Sequence, residues 1–196
     1  MLNSLSKVEI NSFVKSVNRL FCVGIEIMTN FFGYGSLVNL QTHNYLNPYP
    51  TEIEGWKREW VSSSIHNIAF LSVTPCNFTI LQGMRASTEN IGWHALDLRE
   101  TGYKRHNLNQ YDMQMYVGNP AYIDKNIKKP ILLSYLDCVI QGFYQHFGRE
   151  GVAAFFQTTN NWDHPILNDR NSPQYPRSTI LSEKELNLVN KHLENL

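Results

Sequence analysis

Apolar side chains recur at helical spacing in the first part of the chain. Residues 6–9 have the form of a capping box, in which a Ser and a Glu three residues later satisfy the first amide groups of a helix. Apolar residues then follow at intervals of three and four, namely Ile10, Phe13, Val14, Val17 and Phe21. The pattern predicts an amphipathic N-terminal helical extension over residues 1–27, ahead of a domain over residues 28–196.

Short runs rich in β-branched and aromatic residues predict a set of strands. They cover residues 27–32, 56–62, 68–73, 78–84, 103–108 and 112–117. Pro75, Cys76 and Asn77 separate the third run from the fourth, and such residues are typical of turns. Because the runs follow one another closely, we expect antiparallel neighbours or a small barrel.

Helical spacing returns in the middle of the chain. A segment over residues 87–100 has apolar positions on one side and stops near Glu100, which we therefore place at a helix end. A longer apolar stripe over residues 132–147 ends at Gly148, and a shorter helix is predicted at 150–157. We expect both of these later helices to pack on the core.

The last part of the chain combines an irregular segment with a closing helix. Residues 160–177 are rich in Pro, Asn and Asp and predict an extended surface segment. Its polar cluster either lines a pocket or forms a solvated connector, and consists of Asn168, Asp169, Arg170, Tyr175, Pro176 and Arg177. A second capping box at residues 182–185 predicts an amphipathic closing helix.

The composition indicates one globular domain. The chain has 196 residues, of which 42% are hydrophobic and 17% charged. Seventeen Lys and Arg balance seventeen Asp and Glu, so the broad attraction that drives non-specific nucleic-acid binding is missing. We predict no nucleic-acid partner and expect a monomer or a weak homodimer.

Cysteines, histidines and apolar runs indicate the compartment of the protein and whether it binds metal or membranes. Cys22, Cys76 and Cys138 are far apart, which is typical of reduced thiols in a cytoplasmic protein. The seven histidines show no zinc-site spacing, and we predict no metal. The apolar run at residues 20–25 is too short to span a bilayer, so we predict no signal peptide and no membrane association.

A glycine-containing loop follows the first predicted strand. It comprises Tyr34, Gly35, Ser36 and Leu37. The loop departs from a dinucleotide-binding motif because Val38 takes the place of the third glycine, and it lacks the G-x-S-x-G form of a nucleophile elbow. Glycine after a strand end lets consecutive N–H groups turn toward an anion, and an ordinary glycine turn is the alternative.

Three segments, at residues 32–37, 55–60 and 96–103, resemble the successive signatures of the γ-glutamylcyclotransferase-like family. They are Phe-Gly-Tyr-Gly-Ser-Leu, Gly-Trp-Lys-Arg-Glu-Trp and Leu-Asp-Leu-Arg-Glu-Thr-Gly-Tyr, in the family's order. The third is most similar to the glutathione-degrading ChaC branch and to small bacterial relatives. The resemblance implies an α+β fold over residues 28–196, with a small mixed, partly closed β-barrel flanked by α-helices.

The resemblance also implies an activity, the cyclisation of the γ-glutamyl group of a small peptide or amine to 5-oxoproline. It places the glutamyl head at Tyr34, Gly35, Ser36 and Leu37 with Tyr103 beside them, and makes Glu100 the catalytic residue. A γ-glutamyl amide carries its own nucleophile, the α-amine, so the protein need only orient the substrate, deprotonate the amine and reprotonate the leaving group. No cofactor is implied.

Two alternatives to this reading of Glu100 stay open. The carboxylate could be a solvated helix-end group paired with Arg99 or Lys104. The fold could also serve as a non-catalytic binding or regulatory module for γ-glutamyl or carboxylate ligands. A catalytic role requires a raised pKa of Glu100, which burial beside rings such as Tyr103 and Phe32 would produce.

The second motif and the segment after it carry further expectations. Trp56 and Trp60 are predicted to lie in the core and Arg58 to pair at the surface. Residues 62–66 stand where the ChaC branch has an Arg- and Gly-rich stretch. The leaving group therefore stays open between glutathione, a γ-glutamyl amino acid and an amine.

The N-terminal extension generates a test. If its apolar stripe docks on the domain, a protein that begins at Met28 will lose stability or solubility, because the surface that the stripe covers becomes exposed. Thermal unfolding of the shortened and full-length proteins measures this. Unchanged melting and activity would show that the first 27 residues are dispensable.

Overall fold

The computed structural model describes residues 28–196, and the predicted N-terminal helix lies outside this range. The strands are β1 Asn30–Gly33, β2 Leu46–Ser63, β3 Ala69–Ser87, β4 Tyr103–Leu108, β5 Met113–Gly118, β6 Ile123–Asp124, β7 Ile131–Leu132, β8 Thr159–Asn160 and β9 Ile166–Leu167. The α-helices are α1 Trp93–Arg99, α2 Leu133–Gln157 and α3 Glu183–Leu193. No helix in the described range is long and apolar enough to cross a membrane.

The predicted α+β class and mixed sheet are confirmed. The main sheet has the order β4-β5-β1-β3-β2-β6, with β8 paired to β2. Within this sheet, β1 and β5 pair in parallel, as do β2 and β8, and the other pairs are antiparallel. Strands β7 and β9 form a separate parallel pair. No strand pairing within residues 28–196 closes the sheet, since β4 and β6 lie at opposite ends of it. The predicted barrel is therefore an open, helix-flanked sheet.

Strand β3 corrects one boundary of the prediction. The runs at 68–73 and 78–84 belong to a single long strand, and the turn-like residues between them form a bulge. Residues 76–79 lie opposite Gly55, which has a φ of +85°. Such a φ suits glycine, and an irregularity of this kind bends a strand without reversing it.

The α2 range contains two helical segments that meet at a kink at Gly148, where φ is +66° and ψ is −162°, so the predicted end of the first segment at Gly148 is confirmed. The helix predicted from residue 87 begins only at Trp93, because β3 extends to Ser87. At the start of α3, the Glu185 amide donates to the Ser182 hydroxyl, and Glu185 accepts from the Ser182 amide at 2.7 Å. The capping box predicted there is confirmed.

The prediction that Arg58 pairs at the surface is wrong. Its side chain is 0% exposed, and its guanidinium carbon lies over the adjacent rings of Phe143 and Phe155, at 4.7 and 4.9 Å from their centroids. Its N–H groups donate to the Tyr34 carbonyl at 2.8 Å, the Thr158 hydroxyl at 2.9 Å and the Gln82 carbonyl. Trp60 is buried in the core as predicted, and the partly buried Trp56 packs against this core.

Substitution of Arg58 tests its contribution to the stability of the fold. Arg58→Met keeps much of the apolar stem but leaves the Tyr34 and Gln82 carbonyls without their donor, and we expect a loss of about 2–5 kcal/mol in unfolding free energy. Urea unfolding measures the loss, with Arg149→Met at an exposed position as the matched control. Equal stability of the two variants would contradict the account of Arg58.

Candidate functional site

The loop that follows β1 is fixed by two hydrogen bonds of Tyr34, one through its backbone carbonyl and one through its phenol. The Tyr34 carbonyl accepts from Arg58 Nε at 2.8 Å, and the Tyr34 phenol donates to the Tyr116 carbonyl at 2.5 Å. A short 3-10 turn, Ser36–Val38, begins directly afterwards, with the Val38 amide donating to the Gly35 carbonyl at 2.9 Å. This tight turn ends the path of the chain along β1 and keeps the residues that follow close to the sheet.

Asn39 fastens the end of this turn to helix α2. Its fully buried side-chain amide donates to the Cys138 carbonyl and to Gln141 Oε1, both at 2.9 Å. Gly142 allows this approach, because a Cβ atom there would lie 2.6 Å from the Asn39 backbone nitrogen. The loop backbone is thus fixed against the helix before any ligand binds.

Three consecutive backbone amides in the loop are available to a ligand. Within residues 28–196, the N–H groups of Gly35, Ser36 and Leu37 have no protein acceptor. Gly35 also lies close to Tyr135, since a Cβ atom at position 35 would be 2.8 Å from the Tyr135 hydroxyl. Free amides on a tight turn are suited to a carboxylate or another small anion.

Glu100 lies at the C-terminal end of α1, where its amide donates to the Leu96 carbonyl at 2.9 Å. Gly102, with a φ of +102°, then turns the chain into β4. This short connection directs Glu100 toward the loop after β1. The helix end predicted for Glu100 is confirmed.

Arg99 joins Glu100 to the glycine loop. Its Nε lies 3.1 Å from Glu100 Oε1, while its Nη atoms donate to the Ser36 hydroxyl at 3.2 Å and to the Thr42 carbonyl at 3.0 Å. The Arg99 and Glu100 side chains are only 7% and 15% exposed. The ion pair weighed as an alternative therefore exists, but it lies inside the site and not in solvent.

Burial sets the proton affinity of Glu100. Desolvation raises the pKa of this carboxyl above its ordinary value of 4.5, and the positive charges of Arg99 and Arg177 only partly oppose the increase. Burial also holds the pKa of Tyr34, Tyr103 and Tyr135 well above the usual range. Neutral phenols therefore surround one carboxyl whose proton is held more tightly than in water.

A narrow cleft of about 30 Å³ brings the predicted residues together. It is lined by Tyr34, Gly35, Ser36, Leu37, Glu100 and Tyr103, with Phe32, Gly33, Leu71, Tyr116 and Tyr135. The cleft opens toward a larger chamber of about 430 Å³, because the two share Ser36, Glu100, Tyr103 and Tyr135. The structure thus places all the predicted site residues in one place, although their roles stay predictions.

Two tyrosines of the site were missed by the sequence analysis. Tyr135 belongs to the apolar stripe of α2 and packs edge-on against Trp60 and Tyr175, at 5.9 and 5.0 Å between centroids. Tyr116 lies on β5 and donates to Asp97 at 2.7 Å. A tyrosine within an otherwise apolar stripe is the one signal that could have marked Tyr135, because a buried phenol needs a polar neighbour.

One half of the polar cluster of residues 168–177 binds helix α2, and the other half lines the chamber. Asp169 accepts from the amide and hydroxyl of Ser134 at 2.7 and 2.6 Å, and Arg170 forms a two-pronged bond to Asp137 at 2.7 Å. These contacts hold the segment against α2. The other half of the cluster lines the chamber, and consists of Tyr175, Pro176 and Arg177.

No metal-binding arrangement is found in residues 28–196, where no three His, Cys, Asp or Glu side chains gather around a common point. Cys76 and Cys138 are free thiols, and Cys138 is buried. His94 and His106 are exposed. The chemistry that this site offers is that of one carboxyl group, free amides and phenols.

Comparison with solved structures identifies the fold. A γ-glutamyl cyclotransferase matches with a TM-score of 0.50 and 13% identity, over 83% of this chain and 98% of the other. An uncharacterised protein from Homo sapiens matches with a TM-score of 0.47, 12% identity and the same coverages, and a glutathione-specific γ-glutamyl cyclotransferase from yeast with 0.39 and 14%, over 85% and 98%. No protein-family model and no curated protein sequence matches the chain. The first match confirms the predicted γ-glutamylcyclotransferase-like fold.

The buried carboxyl predicts an unusual dependence of stability on pH. Because the pKa of Glu100 is raised on folding, its ionisation destabilises the folded protein as pH increases from about 4.5 through the raised value, and the cost is constant above it. Glu100→Gln cannot ionise. The variant should match wild type near pH 4 and exceed it at pH 7.5 in urea unfolding.

Glu54→Gln at an exposed position is the control, and its difference from wild type should not follow this course. A Glu100→Gln protein that loses stability relative to wild type as pH increases would contradict the account. In that case the attraction to Arg99 would outweigh desolvation, and the pKa of Glu100 would be lowered.

Proposed function

We propose that this chain is a γ-glutamylcyclotransferase that converts the γ-glutamyl group of a small peptide or amine to 5-oxoproline, with Glu100 as general acid and base. One observation carries the proposal. The buried Glu100 carboxyl, its pKa raised, lines the same narrow cleft as the free amides of Gly35, Ser36 and Leu37. The shared fold supports it independently.

The loop binds the α-carboxylate of the glutamyl head. A cleft of about 30 Å³ accepts a group the size of a carboxylate, and charge-assisted bonds from backbone amides to such a group are among the stronger hydrogen bonds in proteins. The Arg99 guanidinium, 3.2 Å from the Ser36 hydroxyl, adds positive charge to the same side. The α-ammonium then lies on the side of Glu100.

Glu100 first removes a proton from the α-ammonium. The free amine attacks the γ-carbonyl carbon, a carbon–nitrogen bond forms, and the carbonyl oxygen becomes negatively charged. When the carbonyl re-forms, the bond to the leaving amine breaks and its nitrogen takes the proton back from Glu100. The ring nitrogen, which carries an extra proton after the attack, gives it to the Glu100 carboxylate, and the leaving amine takes it from Glu100 and departs as an ammonium group. Two protons thus pass from the attacking nitrogen to the leaving nitrogen, so substrate plus enzyme become 5-oxoproline, the ammonium product and unchanged enzyme.

The raised pKa of Glu100 makes its carboxylate a stronger base for the removal of a proton from the α-ammonium. An exposed Glu is too weak a base for an ammonium group of pKa near 8, and raising the carboxyl pKa reduces this mismatch. The Tyr135 phenol stays protonated, and its oxygen has no partner in residues 28–196. It is available to donate to the developing oxyanion. The nucleophile is part of the substrate, so the reaction as proposed uses no metal and no nucleotide.

Incubation with a panel of γ-glutamyl amino acids, γ-glutamyl amines and glutathione, followed by measurement of 5-oxoproline, tests the proposal. Glu100→Gln keeps the shape of the side chain but cannot accept a proton, so turnover should fall about 100-fold or more while substrate affinity changes little. Glu54→Gln should retain wild-type turnover.

The outcomes separate the alternatives. A folded Glu100→Gln protein with undiminished turnover would remove Glu100 from the mechanism. Binding of γ-glutamyl compounds without 5-oxoproline formation by the wild type would favour the non-catalytic binding module. Calorimetric titration beside the turnover assay distinguishes the two results.

A further inference from the structure

We infer that the chamber beside Glu100 selects γ-glutamyl peptides whose leaving amine is a large apolar amino acid, with Arg177 binding that residue's carboxylate. The inference rests on the proposed function, because it names the leaving group of the same reaction. It assigns the two sides of the substrate to two spaces, the glutamyl head to the narrow cleft and the departing amino acid to the chamber.

The chamber has the size and surface for an apolar side chain. Its volume is about 430 Å³, far beyond the needs of a glutamyl head that enters the cleft. Its walls are mainly apolar and include Ile65, Ile68, Phe70, Tyr122, Leu132 and Pro176. Ile65 is 51% exposed and Tyr122 38%, so a ligand at this place would cover apolar surface that water now contacts.

One wall comes from the turn between β2 and β3, which includes residues 63–66. The turn is held in place, since the Ser63 hydroxyl accepts from the amides of Ile65 and His66 at 3.2 and 3.0 Å. Lys129 Nζ donates to the carbonyls of Ser63 and His66 at 2.5 and 3.2 Å. A wall that is ordered before binding costs little entropy to use in selection.

The same turn occupies the place where the sequence departs from the ChaC branch. The side chains that it brings to the chamber are those of Ser63, Ile65 and His66, and none is a cation of the Arg or Lys type. A dipeptide such as the Cys-Gly part of glutathione would present peptide groups to this wall. An apolar side chain matches Ile65 better.

Arg177 supplies a positive charge to the chamber lining. It lines the chamber and is half-buried, and within residues 28–196 its side chain has no hydrogen bond or ion pair. Arg99 is the other cation of the chamber lining, but it already binds Glu100, Ser36 and Thr42. Arg177 is therefore the cation that the described part of the chamber offers to a carboxylate on the leaving group.

A comparison of substrates tests the apolar part of the inference. The wild-type protein should cyclise γ-glutamyl-L-phenylalanine with a kcat/KM at least about tenfold above those of γ-glutamylglycine and glutathione, because only the first fills the chamber with apolar surface. Ile65→Ser, at an exposed position, should reduce this preference. Equal or faster turnover of glutathione or γ-glutamylglycine would overturn the inference and leave the proposed function intact. If none of these compounds, nor any of the wider panel, yields 5-oxoproline, both fail.

A charge test isolates Arg177. Arg177→Met should raise the KM for γ-glutamyl-L-phenylalanine about tenfold or more and leave that for γ-glutamyl-L-phenylalaninamide, which lacks the carboxylate, unchanged. Arg149→Met at an exposed position should alter neither value. An equal effect of Arg177→Met on both compounds, or no effect on either, would overturn the role of Arg177.

Discussion

The guanidinium of Arg58 lies in the core over two adjacent phenylalanine rings and binds oxygen atoms from three separate parts of the chain. A charge that is removed from water must find partners for its N–H groups, and here they are the Tyr34 and Gln82 carbonyls and the Thr158 hydroxyl. The loop after β1, strand β3 and the end of α2 are therefore tied to one point. The position of the free amides beyond Tyr34 depends on this connection.

A buried ion pair, Arg99–Glu100, extends the arrangement to the reactive group. Arg99 contacts Glu100 and also reaches Ser36 and Thr42, so the carboxyl and the loop share one rigid partner. The pair does not cancel the cost of burying Glu100, whose pKa stays raised. A carboxyl group whose surroundings disfavour its ionised form is typical of catalytic sites, where stability is lower than it could be.

Local pattern predicted much of the fold, and it failed where distant contacts decide. The runs that form β4 and β5 and the capping box of α3 were visible because the signal lies within a few neighbours. The residues at 75–77 were taken as a turn, since a bulge and a turn share the same local composition and only the strand opposite tells them apart. The acceptors of Arg58 lie 24 and 100 residues away, so its residue type alone favoured the surface.

The site was predictable only in part. Hydrophobic periodicity could not place Glu100 near Gly35, because Arg99 and Ser36, which join the two, lie 63 residues apart. The resemblance of three ordered motifs placed them together. Tyr135 and Arg177 lay in segments with no such motif, and only the packing of α2 and of the long loop against the sheet brings them to the cleft and the chamber.

The central claim is that the glycine loop and Glu100 form two ends of one glutamyl site. A crystal structure of the Glu100→Gln protein with the γ-glutamyl compound that the wild type converts fastest measures this directly. We expect the α-carboxylate on the amides of Gly35, Ser36 and Leu37, and the side chain at position 100 within hydrogen-bond distance of the α-amino group. A ligand bound away from the loop, or with its amino group pointing away from position 100, would contradict the account.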